Sequence, residues 1–281
     1  MAVNNISVII PCMGRANHVL QNLKNLQGLP AQTIVVDYSC PQFVGKSVKK
    51  QFPDVTVIEV PYKSFFNLSD ARNAGLNQVL EDWVFFLDAD IVLDASLFNN
   101  EKSFLSPEKY YILSRYRESG AYGSLLAPTD IVRELGGYDP RFNGYGGEDL
   151  DIFERLALNG LSCTYLSNQP IRILNHSIEA RVENYEEKNR AKSSLVNRVY
   201  ANLKIGIMKM QSKSVLPDVM LDNLRKFSEE KVREALIAGK RSVNIKVNLQ
   251  PFAAKYCDEE SELRRIASRN NVQCLEYHFR F

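Results

Sequence analysis

The 281-residue sequence predicts a doubly wound α/β domain followed by a helical extension. Three observations carry this. Short apolar runs alternate with amphipathic helical segments through residues 1–90, the order of a parallel sheet with crossover helices. The runs are continuously apolar and rich in β-branched and aromatic residues, which fits strands buried on both faces. From about Glu183 the pattern changes to long helical periodicity.

Taken in order, the first strand is ISVII at 6–10, closed by Pro11. TIVVD (33–37), VTVIEV (55–60), WVFFLD (83–88), Tyr110–Leu113 and Ser124–Ala127 read as further strands. Between the first of them, His18–Leu26 carries Val19, Leu20, Leu23 and Leu26 on one stripe, and Ser69–Leu80 carries Ala71, Ala74, Leu76, Val79 and Leu80. Later helices are expected to start at Thr129 and near Gly147. In the long helix, Ala191, Leu195, Val199 and Leu203 follow an i, i+4 spacing widened by Val196, Tyr200 and Ile207. A helix at 217–238, a strand at 243–249, a helix at 259–269 and a strand at 274–280 complete the chain. The expected domains are 1–180, α/β, and 181–281, a basic, mainly helical extension with a small β-α-β end.

Charge follows the same division. Residues 1–180 hold 15 Lys+Arg against 20 Asp+Glu, and residues 181–281 hold 20 against 13. Hydrophobic content of 45% is ordinary for a globular protein. No apolar run approaches the roughly 18 residues of a membrane span, and the start lacks a signal peptide's basic n-region. Five cysteines, none closer than 17 residues to the next, exclude a zinc ribbon, a CxxC site and a disulfide scaffold. A reduced, cytoplasmic compartment is expected.

Three stretches carry chemistry. In WVFFLDADIVLD (83–94), strand geometry would send Asp88 and Asp90 to one face where a parallel sheet opens. Paired carboxylates suit Mg²⁺ or Mn²⁺, ions that also bind substrate phosphates. In GGYDPRFNGYGGEDLD (136–151), Gly146-Gly147 lets the backbone approach a ligand, Phe142 and Tyr145 offer flat faces suited to a sugar ring, and Glu148-Asp149 opens a helix. His176, just after the apolar run 171–174, gains weight as a metal ligand only beside the Asp pair. Plainer readings stand beside each: turn aspartates, helix-capping acids, core aromatics and a structural histidine.

DAD at 88–90, GGYDPRF at 136–142, GYGGEDLD at 144–151 and a histidine some 25 residues later resemble the GT-A-fold, nucleotide-sugar-dependent glycosyltransferases. The similarity is to family 2 and to the galactosyltransferase-like branch with a GWGGED motif, including β-1,4-galactosyltransferase and chondroitin-polymerase-type domains. IIPCMGRANHVLQNL is similar to that branch's opening, and NLSDARNAGLNQVL to the family's ARN helix. The resemblance spans about residues 5–178 and implies a GT-A, Rossmann-like, mostly parallel sheet with helices on both faces.

It also implies roles. Pro11 and Arg15 would touch the nucleotide, Asp37 the uracil, Arg72 and Asn73 the pyrophosphate side, and Asp88 the ribose or sugar. Asp90 and His176 would ligate Mn²⁺ or Mg²⁺; Tyr145, Gly147 and Glu148 would hold the acceptor, and Asp149 would be the base. The aspartate pair usual after strand two is Asp-Tyr here, the GWGG tryptophan is Tyr145, and the metal-ligating methionine of animal galactosyltransferases falls at Ile173.

The expected activity is metal-dependent, inverting transfer from a UDP-hexose or UDP-N-acetylhexosamine to a glycan or lipid-linked acceptor. The alternative is a non-catalytic partner module of a polysaccharide-synthesising complex. Arg15 and Arg72 as plain ion-pair residues, and Asp37 as a turn former, stay open. The basic helix reads either as a solvated face or as a peripheral contact with anionic membrane on the inner face. Nucleic-acid binding is not expected, because no stacking motif accompanies the charge; a homo-oligomer is left open.

Overall fold

The computed structural model describes residues 5–29, 31–93, 105–116, 120–166, 171–174, 182–256 and 274–280. The chain divides into two compact units: Met1–Pro140 with Gly160–Glu186, and Arg141–Asn159 with Glu187–Phe281. The division differs from a single cut near residue 180 in grouping 141–159 with the C-terminal part.

The first unit holds β1 (Ile6–Cys12), α1 (Ala16–Leu26), β2 (Gln32–Tyr38), α2 (Val44–Gln51), β3 (Thr56–Val60), α3 (Leu68–Leu76), β4 (Trp83–Phe86), β5 (Ile91–Leu93), β6 (Lys109–Ile112), β7 (Leu125–Pro128), α4 (Thr129–Glu134), β8 (Ser162–Tyr165) and β9 (Ile171–Ile173). Seven strands form one sheet in the order β3-β2-β1-β4-β7-β6-β8. β1 runs parallel to both β2 and β4, β2 to β3, and β6 to β8; only β7 is antiparallel to its neighbours. A mostly parallel sheet with helices is thus the observed fold, as its apolar strands require.

All seven residues of β1 are buried, and its side chains serve both faces. Val19, Leu23 and Leu26 of α1 pack with Ile6, Val8 and Ile10 in the core of this unit. A Cβ built at Gly75 of α3 would lie 2.5 Å from Ile9 Cγ2 and 3.1 Å from Val36 Cγ2. The glycine therefore sets how closely α3 approaches the sheet. Asn67 caps α3 by accepting the Asp70 N–H at 2.9 Å.

Three local expectations change. α3 stops at Leu76, leaving Leu80 83% exposed rather than on the helix stripe. α2 was not anticipated, because VGKSVKKQ buries only Val44, Gly45 and Val48. β4 ends at Phe86, and Asp88 to Ile91 form a turn in which the Ile91 N–H donates to the Asp88 carbonyl at 3.0 Å.

The second unit contains α5 (Glu148–Leu158), α6 (Arg190–Gln211), α7 (Asp218–Ile237), β10 (Ser242–Asn248), α8 (Leu249–Tyr256) and β11 (Cys274–Arg280). Its core joins Val199, Tyr200, Leu203 and Ile207 of α6 to Leu224 and Val232 of α7. β10 and β11 pair antiparallel, and Val243, Ile245 and Val247 alternate inward from exposed neighbours. Between these strands lies α8, which was not expected; the expected helix at 259–269 lies outside the described residues. Among the described residues, no helix is long and apolar enough to cross a membrane.

Candidate functional site

In the first unit, the strand order reverses between β1 and β4, where open α/β sheets place ligands at the carboxyl ends of their strands. The sequence-nominated donor residues cluster around those ends. Pro11 is buried next to the last residue of β1, and half-buried Arg15 precedes α1, its carbonyl accepting the Val19 N–H at 3.1 Å.

Asp37, near the end of β2, has both carboxylate oxygens engaged. They accept the backbone N–H groups of Cys40 and Gly45, each at 2.8 Å. The residue therefore shapes the β2–α2 loop, whatever it contributes to a base.

Arg72 was expected to face a pyrophosphate, yet its side chain is fully buried. Its Nη2 donates to Asp88 Oδ1 at 2.9 Å and to the Gly123 carbonyl at 3.3 Å, and its guanidinium lies 4.6 Å from the centre of the Tyr138 ring. Asn73 likewise turns inward. Its amide donates to the Tyr138 carbonyl at 2.7 Å and accepts the Tyr138 N–H at 2.8 Å. A side chain at Gly137 would collide with Asn73 Oδ1, 2.4 Å from the Cβ position. Both residues of the ARN segment thus bond within the fold: Arg72 holds Asp88, and Asn73 bonds the backbone of the GGY turn.

Asp88 and Asp90 flank the buried Ala89 and are both part-exposed. Both lie on the turn beyond β4 and not on a strand. β5 pairs antiparallel with β9, and the Leu174 N–H donates to the Asp90 carbonyl at 2.8 Å. The chain therefore passes Asp90 two residues before His176, which itself lies outside the described residues. Among the described residues, no three His, Cys, Asp or Glu side chains gather as a metal-binding group. The donor set fits a divalent cation in chemistry: two hard carboxylates on one turn, one oriented by a buried guanidinium.

In the second unit, the GYGGEDLD segment is held by α6. Buried Asn197 donates through its amide to the carbonyls of Asn143 (3.1 Å), Tyr145 (3.3 Å) and Gly146 (2.6 Å), and accepts from Arg225 Nη1 at 2.5 Å. Ser193 Oγ accepts the Tyr145 N–H at 3.2 Å. Arg190 bonds the Tyr145 hydroxyl at 3.0 Å and covers its ring with the guanidinium 4.1 Å from the centroid. Gly147 caps α5 at φ +102, and a Cβ there would lie 2.9 Å from Phe142 Cε1. Phe142 is a core residue against Tyr200, with ring centroids 5.1 Å apart, rather than a free face for a sugar.

Burial separates the acids in the first turn of α5. Asp151 is wholly buried, with Arg155 Nε 2.8 Å from Oδ2 and Lys204 Nζ 2.7 Å from Oδ1. Glu148 is buried, whereas Asp149 is half-exposed at the positive end of the helix. Sequence reasoning missed Arg190, Ser193, Asn197 and Arg225. Helical spacing marked α6 as a packed stripe, and nothing local tells a buried Asn from a surface one.

Residues 7–146 match the model of the family described as "Glycosyl transferase family 2". Solved structures share the fold at low identity. A mannosyltransferase from Pyrobaculum calidifontis, solved with GDP-Man and Mn²⁺, is 15% identical with a TM-score of 0.52, over 84% of this chain and 74% of that one. TarS 1-349 from S. aureus, solved with UDP-GlcNAc, is 13% identical with a TM-score of 0.52, over 84% and 92%. GalNAc-T7 with UDP, GalNAc and Mn²⁺ is 14% identical with a TM-score of 0.53, over 84% and 57%.

Proposed function

The chain belongs to glycosyl transferase family 2 through residues 7–146, and from that premise we propose that it transfers a sugar, with inversion, from a UDP-sugar to a glycan or lipid-linked acceptor. The observation that carries this reading is the Asp88-Ala89-Asp90 turn beyond β4, beside the reversal of strand order and anchored by buried Arg72. Similar folds solved with GDP-Man, UDP-GlcNAc or UDP, two of them with Mn²⁺, support a nucleotide-sugar donor.

Each residue then has a part. Pro11, Arg15 and the Asp37-shaped loop bound the nucleotide. Asp88 faces the ribose or sugar, and Arg72 and Asn73 position the parts around them. Asp90 and His176 would hold Mn²⁺ or Mg²⁺, which when bound neutralises charge on the departing diphosphate. Tyr145, Gly147 and Glu148 receive the acceptor. Its hydroxyl oxygen bonds to the anomeric carbon from the face opposite the diphosphate, whose C–O bond breaks with the electron pair leaving on the diphosphate. Asp149 takes the hydroxyl proton; because a carboxylate is a weak base, that transfer is late and concerted with attack.

Peripheral contact with anionic membrane remains part of the proposal, on fewer charges than the sequence suggested. Lys204 is buried against Asp151, Arg190 is stacked on Tyr145, and Lys192 and Lys209 pair with Glu187 and Glu154. The donor reading is tested by titrating UDP calorimetrically with Mn²⁺ and again with EDTA. Metal-dependent binding that weakens in Asp90→Asn is expected, and equal binding under all conditions would refute it.

A further inference from the structure

We propose that Cys12 and Cys40 are an oxidisable dithiol that hydrogen peroxide closes to a disulfide, displacing the loops after β1 and β2. Their chemistry stands independently of the functional reading; the effect on donor binding rests on that reading.

The two residues are 28 positions apart, yet their sulfurs lie 3.9 Å from each other. Parallel pairing of β1 with β2 brings this about, since Cys12 is the last residue of β1 in register with Asp37, three residues before Cys40. Both are buried, at 1% and 5% exposure. The Gly14 N–H donates to the Cys40 sulfur at 3.3 Å, and the backbone N–H groups of Gln42 and Val44 also stabilise it. The hydrogen bond from Cys12 comes first among the causes that bring the Cys40 thiol down to about 6, while the same contact and then burial push Cys12 up. The contact and the backbone donors thus make Cys40 the more acidic sulfur and Cys12 the less acidic one, the division of labour that dithiol oxidation needs.

The steps balance. The Cys40 thiolate attacks one peroxide oxygen, the O–O bond breaks, and hydroxide leaves, giving a sulfenic acid. The Cys12 sulfur then attacks the Cys40 sulfur. The S–O bond breaks and water leaves, carrying the sulfenic oxygen, its hydrogen and the Cys12 proton. Two thiol sulfurs are oxidised and one peroxide is reduced. Burial selects a small neutral oxidant over a bulky charged disulfide.

A disulfide bond is ~2.05 Å long, so the sulfurs must close by about 1.9 Å. That movement takes the Cys40 sulfur from the Gly14 N–H and strains a loop whose Cys40 N–H is bonded to Asp37. Gly14 adjoins Arg15, so both nucleotide-facing segments shift together. Shifting segments that bound the nucleotide weakens its contacts, and we expect UDP affinity to fall about tenfold or more, tenfold being about 1.4 kcal/mol.

The test treats reduced wild-type protein with hydrogen peroxide and follows intact mass, a non-reducing peptide map and UDP titration with Mn²⁺. Loss of two hydrogen masses, a Cys12–Cys40 linked peptide, weakened UDP binding and recovery with dithiothreitol are expected. Cys12→Ser should stop at a sulfenic acid on Cys40 that dimedone traps, and Cys40→Ser should not react at position 12. Absence of the linked peptide at peroxide levels that oxidise free cysteine would overturn the dithiol. A linked protein that binds UDP unchanged would overturn its control of the loops. Failure of the fully reduced protein to bind UDP would instead sink the donor reading, with the mapped disulfide unaffected.

Discussion

Asp149 and Asp151 stand two residues apart on one helix turn, and replacing each by Asn should break different things. Asp151 bridges two buried cations, Arg155 and Lys204, whose side chains are 4% and 3% exposed. An isosteric Asn keeps the volume and removes the carboxylate charge that both buried cations contact. Removing one partner of a buried ion pair costs about 3–5 kcal/mol, a large part of the roughly 5–15 kcal/mol that holds a typical domain together. At roughly 2–4 °C per kcal/mol for a protein of this size class, melting should fall by roughly 6–20 °C. Asp149 is half-exposed, and its contribution to the helix dipole is only about 0.3–1 kcal/mol. Asp149→Asn should therefore melt within a few degrees of wild type, with transfer abolished. Paired thermal melts and UDP-release assays on the two variants decide the matter. A stable, inactive Asp151→Asn beside an unstable, active Asp149→Asn would refute the assignment of both.

Further outcomes follow from the same geometry. Arg72→Met should weaken UDP–Mn²⁺ binding about tenfold by releasing Asp88, which titration would read; unchanged affinity would deny Arg72 its positioning part. Asn197→Ala removes the amide that three carbonyls and Arg225 share, at about 1–3 kcal/mol for each buried group left unsatisfied. Its urea midpoint should drop clearly, and an unaltered midpoint would contradict the clamp. Ultraviolet titration of thiolate should reveal one ionisation near pH 6 that Cys40→Ser removes. Because about 6 lies below the usual 9.0, the native state holds fewer protons than the unfolded chain between those values. Stability from Cys40 is thus complete above about pH 9 and lost as pH falls through about 6, whereas the raised Cys12 works against stability above about 9.

The central strands were legible because burial on both faces leaves a continuous apolar run, as in ISVII, and α6 because its i, i+4 stripe extends over several turns. Short elements were less so. β5 and β9, three residues each, derive their pairing from one another, and α2 shows too few apolar residues for a period. Asp88 and Asp90 were found from the motif, but the turn that presents them came only with the structure. Arg72 and Asn73 were nominated as ligand contacts because charge and amide groups look alike whether they meet a substrate or a neighbour. Tertiary packing turned both inward. Asn197 and the Cys12–Cys40 approach depend on contacts across 51 to 54 and 28 residues, which no local pattern encodes.

The proposed function is metal-dependent sugar transfer with Asp149 as base. It is tested most directly by UDP release from a panel of UDP-sugars and candidate acceptors, with Mn²⁺ or EDTA, for wild type and Asp149→Asn. Release from one donor that needs Mn²⁺ and an acceptor, and is lost in the folded mutant, is the result predicted. Binding of UDP-sugars with no release under any condition would contradict it and leave a nucleotide-sugar-binding partner module in its place.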